Sequence, residues 1–279
     1  MKVSLIVATV DRTAELATLL RSLEMQSFRN FEIIVVDQNT DDRLAPLLAD
    51  FRGRVGITHL HSARGLSRAR NLGLVSATGE VVAFPDDDCW YPPWLLERVV
   101  AGFLARSELT GISGRCEDGK GRETVTRWAG ESGSVNKMSV WRRTTSVTIF
   151  LRWPCGSEGL RFDETLGAGA ETPWGAGEDV DFVLKALEAG ARIDYDPGLV
   201  VFHSDPLVDY GETARRRAFR YAAGMGRVLR KHRYPLWFVG YQVLRPALGS
   251  LLSLVRLRGA KARFHWAMAR GRFGGWRGR

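Results

Sequence analysis

Three consecutive carboxylates, Asp86 to Asp88, are the part of this sequence with the clearest chemical character. They follow the apolar run Val81 to Phe84, which predicts a short buried strand, and Pro85, which ends it because proline has no backbone N–H. Adjacent carboxylates repel one another, so the cluster is stable when a cation lies among them. A hard divalent cation, completed by phosphate oxygens, is the natural candidate. The alternative is a solvated acidic turn, which the buried strand and the following pair Trp90-Tyr91 disfavour.

A second group of carboxylates lies in the segment Trp174 to Asp181. The spacing of Val180, Val183 and Leu184 predicts a helix that has Glu178 and Asp179 at its amino end. The helix dipole favours carboxylates at that position, which is a purely structural explanation for both residues. The preceding glycines and Trp174 favour a functional one, because glycine lets a loop approach a ligand closely and tryptophan offers it a flat face.

The elements before the acidic turn alternate between strand and helix. The predicted strands are Val3 to Thr9, Phe31 to Val36, Ile57 to Leu60 and Val81 to Phe84, and the predicted helices are residues 13–25, 43–51 and 65–76. This alternation predicts an α/β fold with a mostly parallel, Rossmann-like sheet, which binds ligands at the carboxyl ends of its strands. The turn Thr9 to Arg12 lacks the three glycines of a dinucleotide fingerprint. A pyrophosphate would therefore need another partner, and a metal at Asp86 to Asp88 would supply it.

Four segments resemble, in order and spacing, the nucleotide-binding half of family 2 glycosyltransferases with the GT-A fold. They are SLIVATVDR, FEIIVVDQNTDD, RGLSRARNLG and VVAFPDDDCW, and the resemblance continues through GAGEDVDFVLKALEAGARIDYDPGLVVFHSD. It covers roughly residues 1 to 205. The resemblance implies a GT-A type fold, a nucleotide-sugar donor, a divalent cation (Mn²⁺ or Mg²⁺) and inverting transfer of a sugar to a hydroxyl acceptor, such as a glycan or lipid-linked saccharide of the cell envelope.

The resemblance also implies roles on the donor side. Nucleotide-binding residues would be Thr9, Asp11, Asp37, Arg70, Asp86 and Asp87, and the metal ligands would be Asp88 and His203. The family's second aspartate after Asp37 is replaced by Gln38, so further base contacts are open. Two structural alternatives also stay open: Arg70 as a helix-surface arginine, and His203 as a structural histidine after an apolar strand. The histidines at 59, 61, 232 and 265 have no such context.

On the acceptor side, the resemblance assigns the catalytic base to the aspartate of the Glu-Asp pair, hence Asp179. A sugar hydroxyl has a high pKa and must lose its proton as it attacks the anomeric carbon. A metal stabilises the departing diphosphate. Trp174, whose flat face suits a sugar ring, and Glu178 are placed on the same acceptor side.

Several later elements are predicted less sharply. A helix is predicted from Pro92 to Leu104, and strands from Leu109 to Arg115, Ser146 to Leu151, Arg192 to Asp194 and Leu199 to Phe202. Residues 117–143 are rich in Gly, Arg, Trp and Ser without a clear period. Such a stretch predicts a mobile loop on the acceptor side.

Charge divides the chain near residue 210. The net charge is +9, yet residues 211–279 hold 17 Lys and Arg against one acid, Glu212. Residues 1–210 hold 23 basic and 30 acidic residues, a net charge of −7. The predicted domains are a catalytic domain at 1–210, with a nucleotide-binding half at 1–91 and an acceptor-side half at 92–210, and a basic, apolar helical tail at 211–279.

The tail predicts association with a membrane. Thr213 to His232 is a basic helix, and Pro235 to Leu257 is strongly apolar, with Arg245-Pro246 at its middle. A central charge costs roughly 2.5–3.5 kcal/mol in a spanning helix, so an interfacial helix or hairpin on anionic lipid fits better than a span. Packing of this segment on the catalytic domain is the alternative. Nucleic acid is not expected as a partner, because no reading motif accompanies the charge.

Three cysteines, Cys89, Cys116 and Cys155, form neither a zinc nor a disulfide framework, which favours a reducing cytoplasm. No signal peptide is recognised at the start, so the expected location is the cytoplasmic face of the plasma membrane, with peripheral or monotopic attachment. Two rival functions remain. A nucleotidyltransferase that makes nucleotide sugars would need a Gly- and Lys-rich turn after the first strand. A non-catalytic nucleotide-sugar or lipid-binding protein would not need Asp88, Asp179 and His203 together.

Overall fold

The computed structural model describes residues 1–154, 159–204 and 209–278, so Cys155 lies outside the described residues. Contacts divide the chain into two compact units. The first consists of Met1–Arg64, Arg68–Arg161 and Phe182–Asp205, and the second of Gly65–Ser67, Phe162–Asp181 and Pro206–Arg279. This division differs from the charge boundary near residue 210, because Phe162–Asp181 belongs with the basic helices.

The first unit contains a mixed sheet. Its described strands are β1 (Val3–Thr9), β2 (Phe31–Asp37), β3 (Ile57–His61), β4 (Val81–Ala83), β5 (Cys89–Trp90), β6 (Gly111–Glu117), β7 (Gly133–Ser134), β8 (Ile149–Arg152) and β9 (Ile193–His203). They are hydrogen-bonded in the order β3-β2-β1-β4-β8-β6-β9-β5, with β7 also on β9. β3, β2, β1 and β4 are parallel as predicted, whereas β8 runs antiparallel to both of its neighbours.

Most helices lie between strands in the chain, and the last three follow β9 in succession. They are α1 (Ala14–Glu24), α2 (Ala45–Phe51), α3 (Leu66–Ser76), α4 (Leu95–Ala105), α5 (Val140–Arg143), α6 (Glu178–Glu188), α7 (Glu212–Lys231), α8 (Leu236–Val255) and α9 (Gly259–Arg277). The apolar stripe of α1, including Leu16, Leu20 and Leu23, is buried, as the spacing predicts. Strands β1 and β2 are buried along nearly their whole length, which is typical of a sheet covered on both faces.

Three predicted elements differ from the structure. Ser146–Thr148 is a short 3-10 turn, so the strand begins only at Ile149. The two strands predicted around residues 192–202 are one strand, β9, because a register shift in the pairing with β6 lets it continue through Pro197 and Gly198. The stretch 117–143, predicted as a loop, contains β7 and α5.

Close backbone contact between α7 and α9 organises the second unit. A Cβ on Gly271 would lie 2.4 Å from the Phe219 carbonyl oxygen, and one on Gly275 would lie 1.9 Å from the Ala223 carbonyl oxygen. Glycine is therefore required for these two helices to approach as they do. α8 packs on α9 and runs antiparallel to it, with the Ser250 hydroxyl donating to the Ala262 carbonyl oxygen at 2.9 Å.

Candidate active site

The acidic turn lies at the end of a fully buried strand. β4 and the following Phe84 have no solvent exposure. β5 pairs antiparallel with β9 so that Cys89 is opposite His203, and this register brings His203 beside Asp88. His203 Nε2 lies 3.2 Å from Asp88 Oδ1. One ligand atom each of Asp86, Asp88 and His203 lies within 4.8 Å of the others.

These three side chains fit a divalent cation by their chemistry. Carboxylate oxygens suit Mg²⁺ and Mn²⁺, whereas imidazole nitrogen suits transition metals. The set therefore fits a divalent cation without selecting one, and three protein ligands would leave coordination positions open for other oxygen ligands. Asp86 joins the predicted pair of Asp88 and His203 in this group.

The guanidinium group of Arg12 lies between two of the three carboxylates. Its Nη1 donates to Asp87 Oδ1 at 2.7 Å and to Asp88 Oδ2 at 2.5 Å. The hydroxyl of Thr9 donates to Asp87 Oδ2 at 2.7 Å, so both oxygens of the buried Asp87 are engaged. Asp87 is not in the metal-ligand group of the described residues, and its predicted contact with the nucleotide stays a prediction. Arg12, for which the sequence predicts no role, relieves part of the repulsion between the carboxylates.

Burial and charge have opposite effects on the protonation of this turn. Burial raises the pKa of Asp87, in spite of the hydrogen bonds from Thr9 and Arg12. At Asp88 burial also acts to raise the pKa, but His203 and Arg12 outweigh it and lower the pKa below its ordinary value. At Arg12 burial acts to lower the pKa, and Asp87 and Asp88 outweigh it and raise the pKa. Asp88 is therefore held in the anionic form that a metal ligand requires.

Arg70 is a buried arginine, not one on the helix surface, with only 2% of its area exposed. Its Nη2 donates to Asp86 Oδ1 at 2.8 Å and to the Ser146 hydroxyl at 2.9 Å. The side chain therefore joins α3 to the acidic turn and to the 3-10 turn. A charge-assisted hydrogen bond of this kind fixes the orientation of the Asp86 carboxylate. The predicted contact between Arg70 and a nucleotide stays a prediction.

Asp37 ends β2 and is fully buried. Its Oδ1 accepts hydrogen bonds from the backbone N–H of Asn39 at 2.8 Å and from the Asn39 amide at 2.7 Å. Its Oδ2 lies 3.0 Å from His59 Nε2. His61, opposite Asp37 in the register of β2 and β3, completes a second group whose ligand atoms lie within 4.8 Å of one another. His59, which the sequence left without a role, therefore orients Asp37.

Thr9 and Asp11 lie at the carboxyl end of β1, beside the end of β2. Thr9 is opposite Asp37 in the strand register. Asp11 has a φ of 59°, a left-handed conformation that aspartate tolerates better than most residues. Its carboxylate accepts from Arg64 at 2.7 Å and pairs with Arg43 at 3.3 Å. The parallel register thus brings together the three residues predicted around the base.

The second unit contains the predicted acceptor-side residues. α6 begins at Glu178, so Glu178 and Asp179 both lie in its first turn. Glu178 is buried and packs against Gly167, where a Cβ would lie 3.1 Å from the Glu178 Oε2. Asp179 is half-buried, and its Oδ1 accepts from the backbone N–H of Val180 at 2.8 Å. Of the pair, Asp179 is thus the more exposed.

Trp174 and the adjacent glycines lie against α7, and their predicted place on the acceptor side stays a prediction. The guanidinium carbon of Arg227 is 4.4 Å from the centre of the Trp174 ring and covers one of its faces. The Gly175 N–H donates to the Arg220 carbonyl at 3.0 Å. A Cβ on Gly224 would lie 1.9 Å from the Ala176 carbonyl oxygen. The glycines of this loop therefore allow close contact with α7 of the same unit. The sequence predicted that they would allow close approach to a ligand.

Asp181 is fully buried among basic groups. Its Oδ1 lies 2.8 Å from His232 Nε2 and 2.8 Å from Lys231 Nζ. Lys231 also donates to Asp163 Oδ2 at 2.6 Å. This network ties the first turn of α6 to the end of α7. It gives His232 a structural role that the sequence did not predict.

α8 has an inverted distribution of polar and apolar side chains. Six residues on one face, spaced three or four apart, are each more than half exposed: Trp237, Tyr241, Leu244, Leu248, Leu251 and Val255. The residues that α8 buries are the polar Gln242, Ser250 and Ser253 together with Phe238, Val239 and Pro246. Among the helices of the described residues, α8 is long and apolar enough to cross a membrane, judged by length and composition alone.

Residues 4–158 match the family model of glycosyl transferase family 2. The match covers more than half of the chain, and the chain therefore belongs to that family. The predicted family is confirmed, and the prediction of a glycosyltransferase is confirmed at the level of the family.

Curated relatives carry related names. The pre-mycofactocin glycosyltransferase of Mycobacterium tuberculosis is 28% identical over 206 residues, which cover 69% of this chain and 41% of that protein. The putative glycosyltransferase EpsH of Bacillus subtilis is 35% identical over 101 residues, which cover 35% of this chain and 29% of EpsH. The match thus spans less than half the length of these relatives.

Two solved structures share the fold. S. aureus TarS 1–349 in complex with UDP-GlcNAc has a TM-score of 0.63 at 19% identity, covering 100% of this chain and 93% of that one. The mannosyltransferase PcManGT from Pyrobaculum calidifontis, in complex with GDP-Man and Mn²⁺, has a TM-score of 0.65 at 19% identity, covering 98% and 87%. The predicted GT-A type fold is confirmed.

Proposed function

We propose that the protein is a metal-dependent, inverting glycosyltransferase that moves a sugar from a nucleotide-diphosphate sugar to a hydroxyl acceptor, a glycan or lipid-linked saccharide of the cell envelope. Family membership supports the class of reaction. The observation that carries the proposal is the group of Asp86, Asp88 and His203, whose ligand atoms lie within 4.8 Å of one another at the end of a buried strand. Solved neighbours with the same fold are complexes with UDP-GlcNAc or with GDP-Man and Mn²⁺.

On the donor side, Asp37 binds the nucleotide base, with Thr9 and Asp11 beside it. Arg70 holds Asp86 in position and offers positive charge to the nucleotide. Asp88 and His203, together with Asp86, hold Mn²⁺ or Mg²⁺. When bound, the cation neutralises the diphosphate and stabilises its departure.

On the acceptor side, Asp179 is the catalytic base, and Glu178 and Trp174 shape its surroundings. Its carboxylate takes the proton of the acceptor hydroxyl as that oxygen forms a bond to the anomeric carbon. The bond from that carbon to the diphosphate oxygen breaks in the same displacement, which inverts the configuration. The greater exposure of Asp179 relative to Glu178 supports this choice within the pair.

A calorimetric donor screen tests the proposal. UDP-, dTDP- and GDP-sugars are titrated into the protein with Mn²⁺, with Mg²⁺ and with EDTA. We expect one nucleotide to bind, with higher affinity in the presence of the metal, and the same sugar nucleotide to be consumed when acceptor is added. Absence of binding by every donor, or donor binding that EDTA leaves unchanged, would contradict the metal-dependent donor site.

We further propose that the second unit attaches the protein to the cytoplasmic face of the plasma membrane. The support is the exposed apolar face of α8, which has a helical period and lies among the basic residues of a segment with 17 Lys and Arg against one acid. Apolar area removed from water contributes about 25 cal/mol per Å², and each basic residue near anionic lipid contributes about 1 kcal/mol. The burial of one α8 face favours a helix that lies in the interface over one that spans.

Vesicle sedimentation with a matched pair of variants tests this attachment. The double variant Leu248→Glu and Leu251→Glu should weaken binding to vesicles that contain anionic lipid. Leu104→Glu, at a leucine on α4 that is more exposed than either of these, should leave binding unchanged. Equal loss in both variants, or a full-length protein that binds no vesicles, would reject attachment through α8.

A further inference from the structure

A cavity lined by arginine lies between α7 and α9, within the second unit, with a volume of about 490 Å³. Its charged lining residues are Arg215, Arg216, Arg220, Arg263, Arg270 and Glu212. Lining positions on α7 and on α9 recur three or four residues apart, so each helix contributes one face. We refer to this space as the arginine cavity.

The two helices that form the cavity are held in a fixed pairing. Gly271 and Gly275 of α9 allow close contact with the α7 backbone at Phe219 and Ala223. The cavity lies beside that contact and extends towards the N-terminal end of both helices, from Arg220 to Glu212 on α7 and from Arg270 to Arg263 on α9. The packing of α9 against α7 therefore holds the arginines of the two helix faces close together.

The charges in the cavity do not balance. Glu212 pairs with Arg215 and, at 2.8 Å, with Arg216. Arg220 donates to the Thr172 carbonyl oxygen at 3.3 Å. No ion pair in the described ranges involves Arg263 or Arg270. One carboxylate thus faces five guanidinium groups, four of them exposed, so an anion that enters the arginine cavity is attracted by several like charges at once.

The shape and chemistry of the lining indicate the kind of anion. Guanidinium groups donate pairs of parallel hydrogen bonds that match the oxygens of a phosphate. Phe219 and the half-exposed Trp266 add aromatic surface to the same cavity. A ligand that carries both phosphate and an apolar part uses both features.

We infer that the arginine cavity binds the phosphate headgroup of a membrane lipid, as a phosphomonoester or diphosphate. The inference deepens the proposed membrane attachment and rests on it for the lipid part of the ligand. It adds selectivity, because the second unit binds a lipid with a terminal phosphate more tightly than another anionic lipid of the same charge. A soluble phosphate compound has the same headgroup chemistry, and the experiment separates the two sources.

The experiment measures binding of the full chain to two kinds of vesicle, adjusted to equal surface potential. One contains phosphatidic acid, a phosphomonoester, and the other phosphatidylglycerol, a phosphodiester, both in neutral phosphatidylcholine. We expect roughly tenfold tighter binding to phosphatidic acid, since hydrogen bonds between charged groups contribute more than neutral ones. Inorganic pyrophosphate should remove this preference by competition.

Matched variants locate the effect. Arg263→Gln with Arg270→Gln should abolish the preference. Arg256→Gln with Arg258→Gln removes the same charge from exposed positions outside the cavity, and should weaken binding to both vesicles alike. Thermal unfolding of both double variants checks that they fold equally well.

Equal affinity of the wild type for the two vesicles would overturn the inference and leave membrane attachment standing. A preference that survives Arg263→Gln with Arg270→Gln would overturn it as well. Pyrophosphate binding that these two substitutions abolish, without any vesicle preference, would overturn the lipid assignment and identify a soluble phosphate compound as the ligand. If the wild type binds neither kind of vesicle, the proposed attachment itself is contradicted.

Discussion

The two compact units distribute charge and apolar surface in opposite ways. In the first unit the apolar strands are buried, and the charged groups at their ends have partners inside the unit: Arg12 with Asp87 and Asp88, and Arg70 with Asp86. In the second unit α8 exposes its leucines and buries Ser250 and Ser253. The arginines of α7 and α9 outnumber the carboxylate they face.

The charges of the first unit are thus paired within the unit, whereas those of the second unit are only partly paired. Paired charges in the first unit would hold the side chains of the proposed donor site in position before a substrate arrives. The exposed apolar face of α8 and the excess of arginine in the second unit are what the proposed attachment to a membrane would use. We therefore expect substitutions at the proposed catalytic side chains to change catalysis, and substitutions of exposed residues on α7, α8 and α9 to change attachment. The predictions below test that separation.

Asp179 tests the separation most severely, because it belongs to the second unit yet is proposed as the catalytic base. Asp179→Asn keeps the size of the side chain but cannot accept the proton. Turnover should fall by roughly 10² to 10⁴ while donor affinity and vesicle binding stay unchanged. Steady-state rates and donor calorimetry measure both, with the exposed Glu171→Gln as control. A parallel loss of donor affinity would make Asp179 a binding residue.

Asp88 should have the next largest effect, on catalysis and on metal-supported donor binding but not on attachment. Asp88→Ala removes a metal ligand at a strand end without opening a core cavity. A bound metal contributes several kcal/mol to the transition state, so turnover should fall by roughly 10² to 10³. Asp50→Ala, an exposed aspartate on α2, is the control. Unchanged turnover in Asp88→Ala, or full activity in excess EDTA, would eliminate the metal role.

Gly275 tests how tightly α7 and α9 pack in the second unit. A Cβ at this position would lie 1.9 Å from the Ala223 carbonyl oxygen, so Gly275→Ala forces α7 and α9 apart. The free energy of unfolding should fall by about 1–3 kcal/mol. Gly240→Ala is the matched control: its Cβ meets nothing within 4 Å, and alanine should raise the stability of α8 by up to about 1 kcal/mol. Urea unfolding measures both, and equal stability of the two variants would rule out tight packing at Gly275.

Truncation near residue 210 is a poorer test than these point variants. The charge boundary suggests that residues 1–210 are self-sufficient, but Phe162–Asp181 packs with the helices after it. Removing those helices would delete Lys231 and His232, the partners of the buried Asp181. The first turn of α6, which contains Asp179, would then lose these stabilising contacts.

Local patterns predicted most of the fold. Strand β1 and helix α1 follow from apolar spacing within a dozen residues, and the acidic turn follows from the strand that precedes it. The partners that the sequence did not reveal are separated by long stretches of chain. Arg12 contacts Asp87, His59 contacts Asp37, and His232 contacts Asp181. Each pair depends on strand order or helix packing, which no local period encodes.

Composition was a weaker guide than spacing in the second unit. The count of basic residues predicted a tail separate from the catalytic domain, and that division stays a prediction. It did not predict the close contact within this segment, where the glycines at 271 and 275 let α9 approach α7. The glycines before Glu178 predicted an approach to a ligand, and they approach α7. Glycine marks close contact in both cases, but the sequence does not say with what.

The smallest effect is expected for the loss of folding stability at acid pH, which can be compared between the two units. In the first unit, burial acts to raise the pKa of Glu32, but hydrogen bonds from Lys2, Ser4 and Thr78 lower it to about 2. In the second, burial acts to raise the pKa of Asp163, and Lys231 and Thr165 lower it to about 2. Because each folded pKa lies below its ordinary value, each carboxylate stabilises the protein above pH 4 or so, and this stability is lost as the pH falls towards about 2.

Asp163→Asn and Glu32→Gln should therefore each lower the free energy of unfolding near pH 6 and have little effect near pH 2. Both effects should be small, because both groups are partly exposed and screened by water. Urea unfolding at several pH values between 2 and 6 measures them. If the two units unfold separately, Glu32→Gln shifts one transition and Asp163→Asn the other, whereas a single cooperative transition would respond to both. A deficit in Asp163→Asn that persists at pH 2 would mean that packing, and not the charge of the ion pair with Lys231, accounts for the loss.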